Sequence, residues 1–262
     1  MNLEIITHHP DQPKHTTPLL FIHGAWHGAW CWEETFLPYF AKHGYTAIAL
    51  SLRGHGNSPN NKSLRWTRIS DYVEDVHQCI TQLPQTPILI GHSMGGLVIQ
   101  KYLETHEAPA AILLAAVPVH GVLPASLRKA FHHPIQFLQA SATMRLYPLI
   151  STYDLAKEAF FSDNTPPELI HHIFGRLQDE SFLAFMDMLF FSLPRPQKVN
   201  TPLLILGAEK DGIFKPEEIE KSARAFGTQA EIFPNMGHDM MLEPGWQQVA
   251  DRILAWLDEK QP

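Results

Sequence analysis

Disulfide chemistry has little to work with in this chain: its only two cysteines, Cys31 and Cys79, fall in separate predicted helices and match no disulfide or zinc-site spacing. Both read as packing residues of a protein in a reducing compartment, and no metal or other cofactor is expected. Runs of Lys or Arg are missing, and 20 basic against 27 acidic residues give a formal net charge of -7. That charge leaves no electrostatic footprint for a phosphate backbone or an anionic surface, which argues against nucleic acid as a partner and against stable membrane association. The opening MNLEIITHHPDQPKH has no basic segment followed by an apolar one, and no stretch is apolar over the length of a bilayer span. A cytoplasmic protein is the expectation. Internal repeats and low-complexity tracts are also absent.

What is present suits one sizeable core: 262 residues, 45% hydrophobic and 18% charged. Short apolar runs at 18–22, 45–50, 87–90, 110–116, 202–206 and 229–233 are bounded by Gly, Pro or polar turns and read as buried strands. Between most of them the apolar residues recur at helical spacing, as in Ile69, Tyr72, Val73, Val76, Ile80 and Leu83. Helices are expected near 30–42, 69–83, 94–105, 216–226 and 245–258. Strand and helix thus alternate, which predicts an α/β fold: a mostly parallel central sheet with helices on both faces, because parallel neighbours need a crossover. Residues 118–196 break the rhythm with short amphipathic pieces separated by prolines, and they carry nine of the 15 Phe residues. They read as a helical insertion.

The segment PILIGHSMGG, residues 87–96, is an apolar strand, then Gly91-His92-Ser93-Met94-Gly95, then a helical stretch. G-x-S-x-G between a strand and a helix is the setting of an activated serine. A sharp turn holds such a serine in a strained backbone conformation and thrusts its Oγ into the open, while the flanking glycines allow close approach. The N–H of Met94, at the start of the helix, would face an oxyanion forming on a substrate. A serine nucleophile needs a base and an acid to orient it, which later strands can supply in the order Ser, Asp, His. Asp211, after PLLILGAEKD, and His238, after AEIFPNMGHD, follow the presumed carboxyl ends of strands, where open sheets place their sites. Glu209 is the rival acid.

The loop after the first central strand, HGAWHGAWCW, offers the Ala25 N–H as a second oxyanion donor, with Gly24 permitting the tight approach. Trp26 is a candidate substrate-binding residue, whereas Trp30 and Trp32 read as core. Reading His23 and His27 as metal ligands fails, because Gly24 breaks the helix they would need and no third ligand is near.

Together HGAWHGAWCW, SLRGHGNSP, GHSMGG, the Asp of GAEKDGIF and the His of NMGHDM resemble the α/β-hydrolase superfamily in its esterase, lipase and thioesterase-like branch, over residues 18–258. The resemblance implies a Ser93–His238–Asp211 catalytic triad, an oxyanion hole of Ala25 and Met94, and a helical cap (lid) at 118–196 inserted in a core of 1–117 and 197–262. Only LEIIT precedes the central strand, so the leading hairpin usual in the superfamily looks abridged. An Asp in place of Ser93 would mark dehalogenases and epoxide hydrolases. Plant hydroxynitrile lyases carry Thr at the position of Gly24 and Lys at that of Asp239, so the resemblance favours hydrolysis. The expected activity is cleavage of small apolar carboxylic esters through an acyl-enzyme. Thioesterase, lactonase, haloperoxidase and carbon–carbon hydrolase chemistry, or a non-catalytic ligand receptor, are the alternatives. Phe side chains facing the cleft would favour uncharged esters with short to medium acyl chains. Triglyceride emulsions would be poor substrates, since no membrane-seeking helix is evident.

Overall fold

Seven short strands make one twisted sheet in the computed structural model, which describes residues 2–260. They are β1 (Ile5–His8), β2 (Leu19–Ile22), β3 (Ala47–Leu50), β4 (Ile88–His92), β5 (Ala111–Leu114), β6 (Leu203–Ala208) and β7 (Ala230–Phe233), in the order β1-β3-β2-β4-β5-β6-β7. All neighbours are parallel except β1, which pairs antiparallel with β3 in the register Ile5↔Leu50. The six apolar runs of the sequence therefore form the parallel part. The abridged hairpin survives as β1 alone, on the edge where a half-exposed strand is tolerated.

Every residue of β2, β3, β4 and β5 is buried, which is why those segments are continuously apolar rather than alternating. The pleat still sorts them. Leu19 and Phe21 join one core with α1 (Trp30–Glu33), α2 (Phe36–Lys42) and the C-terminal helix Trp246–Lys260, while Leu20 and Ile22 join the other with α3 (Ile69–Thr81) and α4 (Met94–Tyr102). The single helix expected over 30–42 is broken in two. Pro38 cannot donate to the carbonyl of Glu34 and its ring would clash there, and Thr35 leaves the helical region and donates its Oγ1 to the Met241 carbonyl at 2.9 Å. Cys31 and Cys79 are free and buried in α1 and α3.

Between β5 and β6 the chain forms only helices: α5 (Leu123–His132), α6 (Pro134–Thr143), α7 (Tyr153–Phe160), α8 (Pro167–Phe174) and α9 (Phe182–Met186), which ends in a π-helical turn over Asp187–Phe191. The remaining helices, α10 (Pro216–Ala225) and α11 (Trp246–Lys260), return to the sheet. Prolines that interrupted the sequence pattern sit in the first turns of α5, α6 and α8, where a missing N–H costs nothing. The Phe residues divide. Phe160 and Phe161 are core, Phe137 and Phe185 line a cavity, and Phe131, Phe190 and Phe191 face outward with 84%, 53% and 68% exposure. With Leu127, Ile135 and Leu138, exposed by 62–69%, Phe131 gives α5 and α6 an outward apolar stripe that the sequence reading did not anticipate. Among the described residues, no helix is long and apolar enough to cross a membrane.

Buried polar ties bind this excursion to the sheet. Glu243, just before α11, accepts from the Ser162 N–H at 2.6 Å, the Ser162 hydroxyl at 2.6 Å and the Thr165 hydroxyl at 2.8 Å. Glu180 is likewise buried, accepting from the Tyr72 hydroxyl at 2.7 Å with His55 Nε2 at 3.0 Å. Glu243→Ala orphans three donors in the interior, and we expect a loss of about 2–3 kcal/mol in urea unfolding. A loss below about 0.5 kcal/mol would mean that the tie is dispensable.

Candidate active site

Four segments meet at the carboxyl end of the sheet: the loop after β2, the turn after β4, the loop after β6 and the loop after β7. Ser93 lies between β4 and α4 at φ 50°, ψ -117°, a conformation that side-chain-bearing residues rarely adopt. It is held by hydrogen bonds to its backbone, with its N–H donating to Leu114 and its carbonyl accepting from Val117 at 3.1 Å and Leu97 at 3.3 Å. The flanking glycines are sterically required. A Cβ on Gly95 would stand 2.3 Å from the Ile22 carbonyl oxygen, and one on Gly91 would stand 2.7 Å from that of Gly95.

Asp211 hangs below the end of β6 with its side chain buried. Its Oδ1 accepts from the N–H groups of Ile213 and Phe214 at 2.7 and 2.8 Å, which fixes the carboxylate, and its Oδ2 accepts from His238 Nδ1 at 2.8 Å. An ionised carboxylate only accepts, so His238 carries its proton on Nδ1 and presents Nε2 as a lone pair. Nε2 is buried and has no hydrogen-bond partner among the described residues. Burial disfavours the imidazolium, but the charge and hydrogen bond of Asp211, with the charge of Asp239 behind, outweigh it and raise the His238 pKa. Glu209 is turned outward, accepting from the Asn235 N–H at 2.8 Å and pairing with Lys210, so it has no part in this contact.

The loop after β2 is a tight turn at residues 24–27, with the His27 N–H 3.4 Å from the Gly24 carbonyl and Trp26 at φ 66°. Its carbonyls are pinned in succession. His23 Nδ1 donates to Gly24 O at 2.8 Å, His27 Nδ1 to Ala25 O at 2.8 Å, and the Gln178 N–H to Trp26 O at 2.9 Å. His23 Nε2 accepts from the Leu52 N–H, so that ring is neutral, and burial together with the neighbouring His55 holds its pKa well below the ordinary value. Gripping the Gly24 carbonyl sets the opposite direction of the Ala25 N–H, because the peptide is planar. The Ala25 and Met94 amides are engaged in no hydrogen bond among the described residues. Gly24 packs so closely on the serine turn that a Cβ would stand 2.7 Å from His92 Nδ1 and 2.9 Å from Ser93 Cβ, so Thr does not fit there.

A cavity opens over Ser93, Met94 and Ala25, and its walls are mainly apolar side chains such as Val122, Phe137, Leu149, Phe185 and Phe214. Trp26 is in that wall, with its ring against Phe160 and its buried Nε1 without a partner. Phe214 also packs edge-on against the His238 ring, with centroids 5.5 Å apart. Trp30 and Trp32 are buried in the core.

The sequence reading missed one feature. Asp239, directly after His238, is fully buried and bonds through Oδ2 to His27 Nε2 at 3.0 Å. The signal was a carboxylate in a tight apolar loop, with a second histidine in the glycine-rich loop to receive it. His92, His238 and Asp239 offer ligand atoms within 4.8 Å of one another, close enough to hold a metal ion. However, His92 Nε2 donates to the His238 carbonyl and Asp239 is engaged by His27, so the group reads as a hydrogen-bonded network.

Comparison with known proteins agrees with this fold. Residues 19–252 match the model of the alpha/beta hydrolase family. The chain belongs to that family. It is 22% identical over 243 residues to a monoacylglycerol lipase of Mycolicibacterium smegmatis, covering 83% of this chain and 80% of that protein. It is 38% identical over 116 residues to methyl jasmonate esterase 1 of Vitis vinifera, a match covering 42% of this chain and 41% of the relative. Among solved structures, an esterase from Exiguobacterium antarcticum superposes with a TM-score of 0.76 at 20% identity, covering 98% of this chain and 95% of that one. A bromoperoxidase from Bacillus anthracis gives 0.76 at 18% identity, covering 98% and 96%. At these identities the two structures show the shared fold alone.

Removing the Asp211 charge leaves burial opposed only by Asp239. Asp211→Asn should therefore lower the His238 pKa in an NMR titration, while Glu209→Gln leaves it in place. An unmoved midpoint in Asp211→Asn would show that the pair does not govern this imidazole.

Proposed function

We propose that the protein hydrolyses carboxylic esters of small apolar substrates through an acyl-enzyme on Ser93. The observation that carries this reading is His238: its tautomer is set by Asp211, its free Nε2 is buried, and its ring packs on Phe214, which lines an apolar cavity together with a serine on a strained strand-to-helix turn. In this mechanism His238 takes the Ser93 proton as Oγ attacks the ester carbonyl, and Asp211 stabilises the imidazolium that forms. The Ala25 and Met94 amides receive the oxyanion. His238 then returns the proton to the leaving alkoxide, and water, activated by the same imidazole, releases the acid. A monoacylglycerol lipase and plant methylesterases among the relatives support an ester as the substrate.

Residues 118–196 act as a cap, contributing Val122, Phe137, Leu149 and Phe185 to the cavity roof. Trp26 forms a side wall and offers its Nε1–H to a substrate oxygen. With the triad and the two amides as the main orienting groups, an uncharged acyl chain gains by burial, at up to about 0.8 kcal/mol per methylene. The kcat/KM for p-nitrophenyl esters should accordingly rise from acetate through the short and medium chains, and then fall once the cavity is full. Ser93→Ala should lose on the order of a thousandfold or more. A monotonic fall from acetate onward would refute the apolar acyl site, and activity within tenfold of the wild type in Ser93→Ala would refute the nucleophile.

A further inference from the structure

The mechanism above makes no use of Asp239, although its carboxylate is fully buried within this site. Its N–H donates to the Phe160 carbonyl at 3.0 Å, which fixes the residue under the end of α7. Oδ2 meets His27 Nε2 at 3.0 Å, and Oδ1 lies 3.7 Å from His92 Nε2 without a hydrogen bond. The titratable groups that face it are His27 from the loop after β2, His92 from β4, His238 beside it and the Cys31 thiol of α1.

His27 is equally buried, and each of its ring nitrogens meets an oxygen: the Ala25 carbonyl at 2.8 Å and the Asp239 carboxylate at 3.0 Å. A carbonyl only accepts, so Nδ1 carries a proton. Burial disfavours the Asp239 carboxylate, but His27 first, then His92 and His238, hold its pKa below the ordinary value. Nε2 faces the Asp239 carboxylate, so both ring nitrogens of His27 are tied to oxygens of the site and the ring cannot turn without breaking one of these bonds. The turn needs such a grip, because Trp26 sits at φ 66°, a left-handed conformation that a non-glycine residue keeps only where its surroundings hold it.

We propose that the hydrogen-bonded His27–Asp239 pair positions the oxyanion turn: it clamps the Ala25 carbonyl and couples the donor loop to the residue next to the base. This rests on the reading of Ala25 as an oxyanion donor. His23 fixes the peptide plane that carries the Ala25 N–H and His27 fixes the next one, so the turn holds Ala25 from both sides and losing the second grip frees the residue to swing about its own dihedrals. Asp239 also faces His238, whose other neighbours are the charged Asp211 and His92, kept neutral by a pKa pushed down to about 3 by burial and by His238 itself.

The test compares the rate at which a neutral fluorophosphonate labels Ser93, as a function of pH, in the wild type, Asp239→Asn, His27→Gln and the double variant. The double variant carries the test if a single one fails to fold, since it leaves no unpaired buried charge. Each folded variant should label about ten- to a hundredfold more slowly, with the double no slower than His27→Gln alone, because the two residues act as a unit. In Asp239→Asn the acid limb should also move to lower pH, since one of the two charges that raise the His238 pKa is gone. Labelling at the wild-type rate with an unmoved acid limb, whatever the change in thermal stability, would overturn the proposal and leave the triad reading intact. A wild type that does not label at all would overturn the triad reading and this inference with it.

Discussion

The backbone of Ser93, forced to φ 50° between β4 and α4, is the constraint on which the site depends. Such a conformation persists only where the surroundings over-determine it, and here they do so from several sides. β5 supplies the acceptor for the Ser93 N–H, β2 closes against Gly95, and the next loop presses Gly24 onto Ser93. Because these contacts come from neighbouring parallel strands, the sheet order β3-β2-β4-β5-β6 itself places the loop after β2 and the loop after β6 on either side of the serine.

Electrostatics within this frame follows from rationing protons among buried imidazoles. His23, His27, His55, His92 and His238 are all fully or almost fully buried, yet each has a distinct environment. His23 is neutral and grips a carbonyl, and His92 is neutral and donates to the His238 backbone. His55 is buried, which disfavours its charged form, but Glu180 against it outweighs burial and leaves its pKa raised, while His238 keeps one nitrogen free. Carboxylates decide the difference: Asp211, Asp239 and Glu180 each face one imidazole at 2.8–3.0 Å, whereas His23 has none.

Much of this was legible in the sequence, for identifiable reasons. Continuous apolar runs mark strands buried on both faces, and all six became parallel neighbours. Order and local context alone led to Asp211 and His238, and the two do meet, because loops at one end of a parallel sheet must converge. The break between α1 and α2 was readable from Pro38 but was overridden by the amphipathic pattern. Other features are tertiary. The His27–Asp239 contact joins residues 212 apart, and nothing local distinguishes that histidine from the other 15. The Phe residues of the insertion look alike in sequence, yet some are core, some line the cavity and some stand in solvent, since only the packing of α5–α9 decides which face is covered.

The outward stripe on α5 and α6 and the cavity wall come from opposite faces of the same two helices. Whatever the substrate, the proposed chemistry must pass through a bond to Ser93 Oγ. Acid-quenching the enzyme during turnover of p-nitrophenyl butyrate, followed by peptide mass mapping, tests this most directly. The expected result is a butyryl adduct on the peptide containing Ser93 that disappears as substrate is exhausted. Steady turnover with no adduct, or with the acyl group on another residue, would contradict it.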